Sequence, residues 1–272
     1  METRLAFYLL SDQLIQVHRA LGLFLLSITS AFGSSANAEE LETTGISDGF
    51  YLFTEQEVGW FKGDAEAAVT SARLGYAVEG PQLTLGFELG PRYISTFDWQ
   101  NRTDWSAKLE GAWVPENTSF EIYGEYEPAL STETDNSGFY QTAKWGIVVP
   151  LTSASQPQFD IGQGFADASD FYIKLEQQGG WAVGSNQEFI LASPRLGYGL
   201  ELNQVALALE AGPSLRWSDR TSPHTDLAAK FDLRFSPTDR YEIFMEYEPT
   251  YIFQADQPGL AQILKAGLVF SF

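Results

Sequence analysis

Residues 264–272 read LKAGLVFSF, and alternate residues are apolar: Leu264, Ala266, Leu268, Phe270 and Phe272. Between them stand Lys265, Gly267, Val269 and Ser271. Successive side chains on a strand point to opposite faces, so this spacing predicts a β-strand with one greasy face and one charged or small one. The stretch also has a counterpart upstream. KAGLVFSF (265–272) parallels KWGIVVPL (144–151), 121 residues earlier (265 − 144 = 121).

The parallel extends along most of the chain. FYLFTEQEVGW (50–60) resembles FYIKLEQQGGW (171–181), SARLGY (71–76) matches SPRLGY (193–198), and ELGP (88–91) matches EAGP (210–213). SAKLEGAW (106–113) parallels AAKFDLRF (228–235), and EYEP occurs at 125–128 and 246–249. Order is preserved and the offset stays at 121–122 (73 to 195, 125 to 246), so the sequence reads as a tandem duplication. The repeats span about 50–151 and 171–272, joined by a linker over 152–170.

Each repeat divides into six alternating segments. In the first they lie near 50–61, 68–79, 82–96, 104–114, 119–130 and 139–151. Gly80-Pro81, PEN (115–117), Asn203 and SPTD (236–239) mark tight connections, whereas FDWQNRTD (97–104) and STETDNSG (131–138) mark longer polar ones. Leu83, Leu85, Phe87 and Leu89 share a face opposite Thr84, Gly86, Glu88 and Gly90. Ile122, Gly124, Tyr126 and Pro128 likewise oppose Glu121, Tyr123, Glu125 and Glu127. A soluble sandwich would hide the apolar face, and a membrane barrel would turn it to lipid. Alternately short and long loops and aromatics at segment ends favour the barrel. The expected fold is all-β: a 12-stranded antiparallel transmembrane β-barrel of two six-strand repeats.

KAGLVFSF resembles the last strand of Gram-negative outer-membrane β-barrels, which commonly ends in Phe. At the level of pattern the chain is similar to small 12-stranded porins such as the oligogalacturonate-specific and sialic-acid porins. The resemblance implies outer-membrane lipid and lipopolysaccharide as surroundings. It also implies recognition of the strand ending in Phe272 by the barrel assembly machinery. Those porins line their pores with Arg and Lys for anionic sugars, whereas this lumen is acidic on balance.

The N-terminal region supports export. Arg4 and Arg19 precede an apolar core, ALGLFLLSITSAFG (20–33), followed by SSANA ending at Ala38. This order predicts a secretory signal peptide over 1–38, cleaved near Ala38, with 39–272 forming the barrel and the 152–170 linker lying on the periplasmic side, an inward-folded plug being the alternative. A net charge of −20 without a basic patch argues against nucleic acid. With Cys 0, thiol chemistry and disulfides are excluded. No phosphate loop, dinucleotide fingerprint, zinc pattern or calcium loop occurs, so no cofactor or metal is expected.

The charged strand face becomes the lumen, and its candidate selectivity residues come in repeat-related pairs. They are Glu125 and Glu246, Glu127 and Glu248, Glu88 and Glu210, Arg73 and Arg195, and Lys108 and Lys230. Lysines on strands beside glutamate-rich ones predict cross-strand ion pairs. The expected function is passive diffusion of small polar or cationic solutes through an acidic pore. A non-conducting structural or adhesion barrel is the alternative, with salt bridges filling the lumen. An outer-membrane lipid hydrolase built on Ser222 and His224 is a third reading. Glu125 and Glu127 are neighbours on one strand, so they cannot flank a scissile bond as a glycosidase dyad requires.

Overall fold

The computed structural model describes residues 49–62, 64–96, 101–132, 138–151, 159–160, 164–165, 170–183, 188–218, 222–238, 240–254 and 258–272. They belong to one unit, Thr43–Phe272. The expected signal peptide lies outside them.

The alternating segments form strands. In the first half these are β1 (Gly49–Phe61), β2 (Asp64–Glu79), β3 (Leu83–Thr96), β4 (Asn101–Trp113), β5 (Glu121–Ser131) and β6 (Phe139–Pro150). A two-residue ribbon, β7 (Phe159–Asp160) and β8 (Gly164–Phe165), stands apart from the main sheet. The rest of the linker, and its expected position beneath or inside the barrel, lies outside the described residues. The second half comprises β9 (Asp170–Val183), β10 (Glu188–Leu202), β11 (Val205–Ser218), β12 (His224–Thr238), β13 (Tyr241–Ile252) and β14 (Gly259–Ser271).

Twelve strands close into an antiparallel barrel, each bonded to its sequence neighbour. Two seams complete the ring: β6 pairs with β9, and β1 pairs with β14. Closure leaves no edge, which is what a sheet needs in a medium without water to satisfy its backbone groups. Among the described residues no helix is long and apolar enough to cross a membrane.

The faces are inverted relative to a soluble protein. Leu74, Phe87, Leu89, Trp105, Leu109, Trp145, Leu196 and Leu209 are exposed on the outside. Arg73, Glu88, Lys108, Glu110, Glu121, Lys174, Arg195 and Glu210 are buried inside. Both observations exclude a sandwich with an apolar core. Outward aromatics gather near the strand ends, with Phe50, Trp113 and Phe171 at one end and Tyr93, Trp105 and Trp217 at the other. Such belts sit where lipid headgroups meet hydrocarbon.

Connections after even-numbered strands of the first half, together with both chain ends of the barrel, lie on one side, here termed the turn side. The opposite rim is the loop side. Alternation of connection length is weaker than the sequence suggests, because 114–120 on the turn side is long and 62–63 on the loop side is short. The reason is that strands run past the predicted boundaries: β2 starts at Asp64 and β4 at Asn101. Asn203 turns β10 into β11 with φ 55°, a left-handed conformation that asparagine tolerates.

Candidate functional site: the charged barrel interior

Inward side chains are organised in lateral rows, each built on direct cross-strand partners. Tyr51 pairs with Gly75, Gly75 with Glu88, and Glu88 with Lys108. Without a side chain at Gly75, the Tyr51 ring lies flat across it, since a Cβ there would stand 2.2 Å from Tyr51 Cζ. The Tyr51 hydroxyl then donates to Glu88 at 3.0 Å. The row recurs as Tyr172, Gly197, Glu210 and Lys230, again with a 3.0 Å bond from tyrosine to glutamate. At the β6–β9 seam, Tyr123 crosses Gly146 and donates to Glu176 at 2.7 Å. At the β1–β14 seam, Phe244 crosses Gly267 towards Glu55.

Ion pairs tie the rows together. Arg73 Nε lies 3.1 Å from Glu88, and Arg73 reaches Glu127 at 3.9 Å, where Arg92 also binds. Lys108 sits between Glu110 at 2.7 Å and Glu125 at 3.3 Å, and Lys144 joins Glu125 at 3.1 Å. In the second half Lys230 sits between Asp232 at 3.6 Å and Glu246 at 2.6 Å, with Lys265 on Glu246 at 3.1 Å. Arg195 bridges Glu210 at 3.4 Å and Glu248 at 2.7 Å, and Lys174 adds Glu210 at 3.2 Å.

Burying these charges costs more than a solvated surface would, and only the pairing offsets it. Removing one partner strands the others. Lys108→Met should therefore lower the unfolding free energy of the refolded barrel by roughly 3–5 kcal/mol, read from denaturant titration in detergent. A change below about 1 kcal/mol would mean the surface-type value applies and the network is effectively hydrated.

All ten predicted lumen residues face the interior. Glu125, Glu127, Glu246, Glu248, Arg73, Arg195, Lys108 and Lys230 line a cavity of about 250 Å³, while Glu88 and Glu210 are buried beneath it. The cavity wall carries eight carboxylates (Glu55, Glu57, Glu125, Glu127, Glu176, Asp232, Glu246, Glu248) and eight cations (Arg73, Arg92, Lys108, Lys144, Lys174, Arg195, Lys230, Lys265). Charge at the wall is balanced. Further carboxylates sit deeper, at Glu88, Glu110, Glu121, Glu210 and Glu242, with Arg234 among them.

The turn-side half of the interior is filled. Tyr51, Phe53, Ala77, Glu121, Val148 and Tyr172 have no exposed surface, and Ala112, Ala208, Arg234, Glu242 and Val269 are at most 9% exposed. Exposure is larger around the cavity, 29% at Lys265 and 32% at Glu57, while Asp104, Ser131 and Asp226 nearer the loop rim are at most 2% exposed. Twelve strands enclose more space than eight, but tyrosines, arginines and glutamates fill it here.

Two features escaped the sequence reading. Lys174 lies inward between Tyr172 and Glu176, a position its strand alternation could have revealed. Arg234, aligned with Ala112, is buried on the charged face. At the loop rim, His224 places Nδ1 3.0 Å from the Ser222 carbonyl oxygen and Nε2 3.4 Å from Asp226. The imidazole thus contacts the Ser222 backbone and the Asp226 carboxylate, not the serine hydroxyl a hydrolase would activate.

Comparison with known proteins bears on this architecture. A family model described as a cyanophage outer membrane protein like beta barrel domain matches residues 27–150. The fold is that of an outer-membrane β-barrel. An outer membrane channel from Pseudomonas putida F1 superposes with a TM-score of 0.52 at 10% identity, covering 88% of this chain and 100% of that one. The β domain of the Bordetella autotransporter BrkA gives 0.51 at 13% identity, covering 83% and 100%. The NanC porin gives 0.48 at 12% identity, covering 80% and 100%. Among curated proteins none matches the sequence. At such identities the shared property of these outer-membrane barrels is the fold.

Proposed function

We propose that the chain is a porin-like channel of narrow bore in a Gram-negative outer membrane, passing small polar or cationic solutes by diffusion. The observation that carries this reading is the cavity of about 250 Å³ walled by sixteen charged side chains (eight carboxylates and eight cations). A row of fixed charges replaces part of a solute's hydration and sets selectivity at close range. In this reading the signal peptide directs export, the strand ending in Phe272 is read during assembly, and the two halves descend from one six-strand unit. Lipopolysaccharide would surround the loop-side rim.

Planar-bilayer recording of refolded protein tests the proposal. Small conductance steps are expected, with reversal potentials in a KCl gradient that favour cations because of the carboxylate excess deeper in the barrel. Glu125→Gln combined with Glu246→Gln should weaken that preference, since each of these carboxylates sits between two lysines. Unchanged selectivity would remove the pair from the filter. The filled turn-side half favours a second reading, a non-conducting barrel serving envelope structure or adhesion. Absence of any conductance step would decide for it.

A further inference from the structure

Among the described residues five aromatic rings cross a glycine inside the barrel; Phe189 crosses Gly180 towards Thr142, and each of the other four points at a glutamate on the strand beyond. At three of them the ring is a tyrosine whose hydroxyl reaches the carboxylate: Tyr51 to Glu88, Tyr123 to Glu176 and Tyr172 to Glu210. Each of these glutamates also has a cation, namely Arg73 at 3.1 Å, Lys174 at 3.5 Å and Lys174 at 3.2 Å respectively. The fourth glutamate is Glu55, and its ring is Phe244, which has no hydroxyl to donate.

Among the described residues no cation lies within ion-pair distance of Glu55 either, though Lys265 and Arg73 attract it from farther away. Its counterpart Glu176 (176 − 55 = 121) is served by Lys174, but the residue at the matching place in β1 is Phe53 (174 − 121 = 53). Phe53 stacks on Phe244 with ring centroids 5.6 Å apart and planes 22° apart. Lys265 is engaged by Glu246 at 3.1 Å and Glu57 at 3.9 Å, while Arg73 lies over the Phe53 ring and binds Glu88. Among the described residues Glu55 therefore makes no ion pair and no side-chain hydrogen bond, although it lines the cavity together with Phe244.

Glu55 is partly buried against the cavity, and a carboxylate drawn partly out of water with no partner in contact gains from a cation that a ligand brings. The Phe244 ring beside Glu55 in the cavity wall, stacked on Phe53, favours a cation that carries carbon over a bare ion. We propose that Glu55 is the binding point for the ammonium group of a small organic amine. Its N–H donors stand in for the two donors, Lys174 Nζ and Tyr123 Oη, that Glu176 has and Glu55 lacks. The Phe244 face offers the attached carbon an aromatic neighbour. The inference deepens the channel reading by naming a solute class, primary alkylamines, and rests on that reading only for transport.

The test is calorimetric titration of the full-length barrel, refolded in detergent, with butylammonium chloride against sodium chloride at equal ionic strength. Glu55→Gln should weaken butylammonium binding about ten- to hundredfold, the range for a hydrogen bond to a charged group. Phe53→Lys should weaken it as much by supplying a resident ammonium. Glu176→Gln, which removes a carboxylate already partnered, should weaken it far less. Every variant is checked for the mobility shift of a closed barrel. Binding that survives Glu55→Gln, or that falls equally with Glu176→Gln, overturns the proposal. Amine binding without conductance steps would remove the channel reading and leave this site standing. Conductance without Glu55-dependent binding would do the reverse.

Discussion

Gly90→Ala should stop most of the refolded chain from closing into a barrel. A Cβ at position 90 would lie 2.0 Å from the Ala72 carbonyl oxygen and 2.7 Å from Arg73 Cα. Both are backbone atoms of the neighbouring strand, so no side-chain rotation relieves the overlap. Gly212→Ala meets the same obstacle, with Pro194 O at 2.0 Å and Arg195 Cα at 2.9 Å. At both places the pairing skips: Ser71–Arg92 is followed by Leu74–Leu89, and Ala192–Leu215 by Leu196–Ala211. Pro91 and Pro213 follow these glycines and lack the N–H a ladder bond would need. The strands approach closely where that bond is missing. Overpacking a side chain costs about 1–3 kcal/mol, and a backbone overlap of this depth exceeds that range because the ladder itself must move. Gly59→Ala, whose nearest atom would be Gln262 O at 4.0 Å, serves as the tolerated control. The readout is the fraction of folded band on an unheated gel. Parent-like yield for Gly90→Ala would show that β2 and β3 separate more easily than their register implies.

The second large effect concerns conductance. Tyr51 and Tyr172 are the largest fully buried side chains of the interior, on β1 and β9, and both stand in the turn-side half. Shortening both to alanine should raise single-channel conductance several-fold if that half is the restriction. The variant should also lose stability, since each aromatic-to-alanine change costs about 3–5 kcal/mol and frees a hydrogen-bond acceptor on Glu88 or Glu210. Folded fraction and conductance are therefore measured on the same preparation. Unchanged conductance from a correctly folded variant would place the restriction elsewhere.

Much of the barrel was legible because strand alternation is a local property. Leu83 to Gly90 and Leu264 to Phe272 each state their two faces within nine residues or fewer, and both faces are found as read. The ion pairs followed, since Lys108 and Lys230 had to lie beside glutamates on neighbouring strands. The filling of the interior was not legible, for a geometric reason. Whether Tyr51 lies across a glycine depends on its being opposite Gly75 rather than Leu74 or Tyr76, and pairing register is not written in either strand alone. Comparing the two halves also hid what differs between them. Lys174 aligns with Phe53, and Tyr123 with Phe244, so a search for what repeats passes over the places where the halves diverge.

The two seams have one further consequence. Tyr51 meets Ser271 at one seam and Tyr172 meets Pro150 at the other, each partner displaced by 121 (172 − 51 and 271 − 150). Even the closing backbone bonds correspond, Phe272 N to Phe50 O and Leu151 N to Phe171 O. The two ends of an unclosed sheet are thus complementary to each other and equally to the ends of a second chain. What favours closure within one chain is the tether: the chain's own free edge is always present at a high effective concentration, independent of how many copies are nearby. Raising the concentration of unfolded chains shifts that competition towards exchanged dimers, so the supply rate of unfolded protein, rather than any contact in the finished barrel, governs how faithfully it closes on itself.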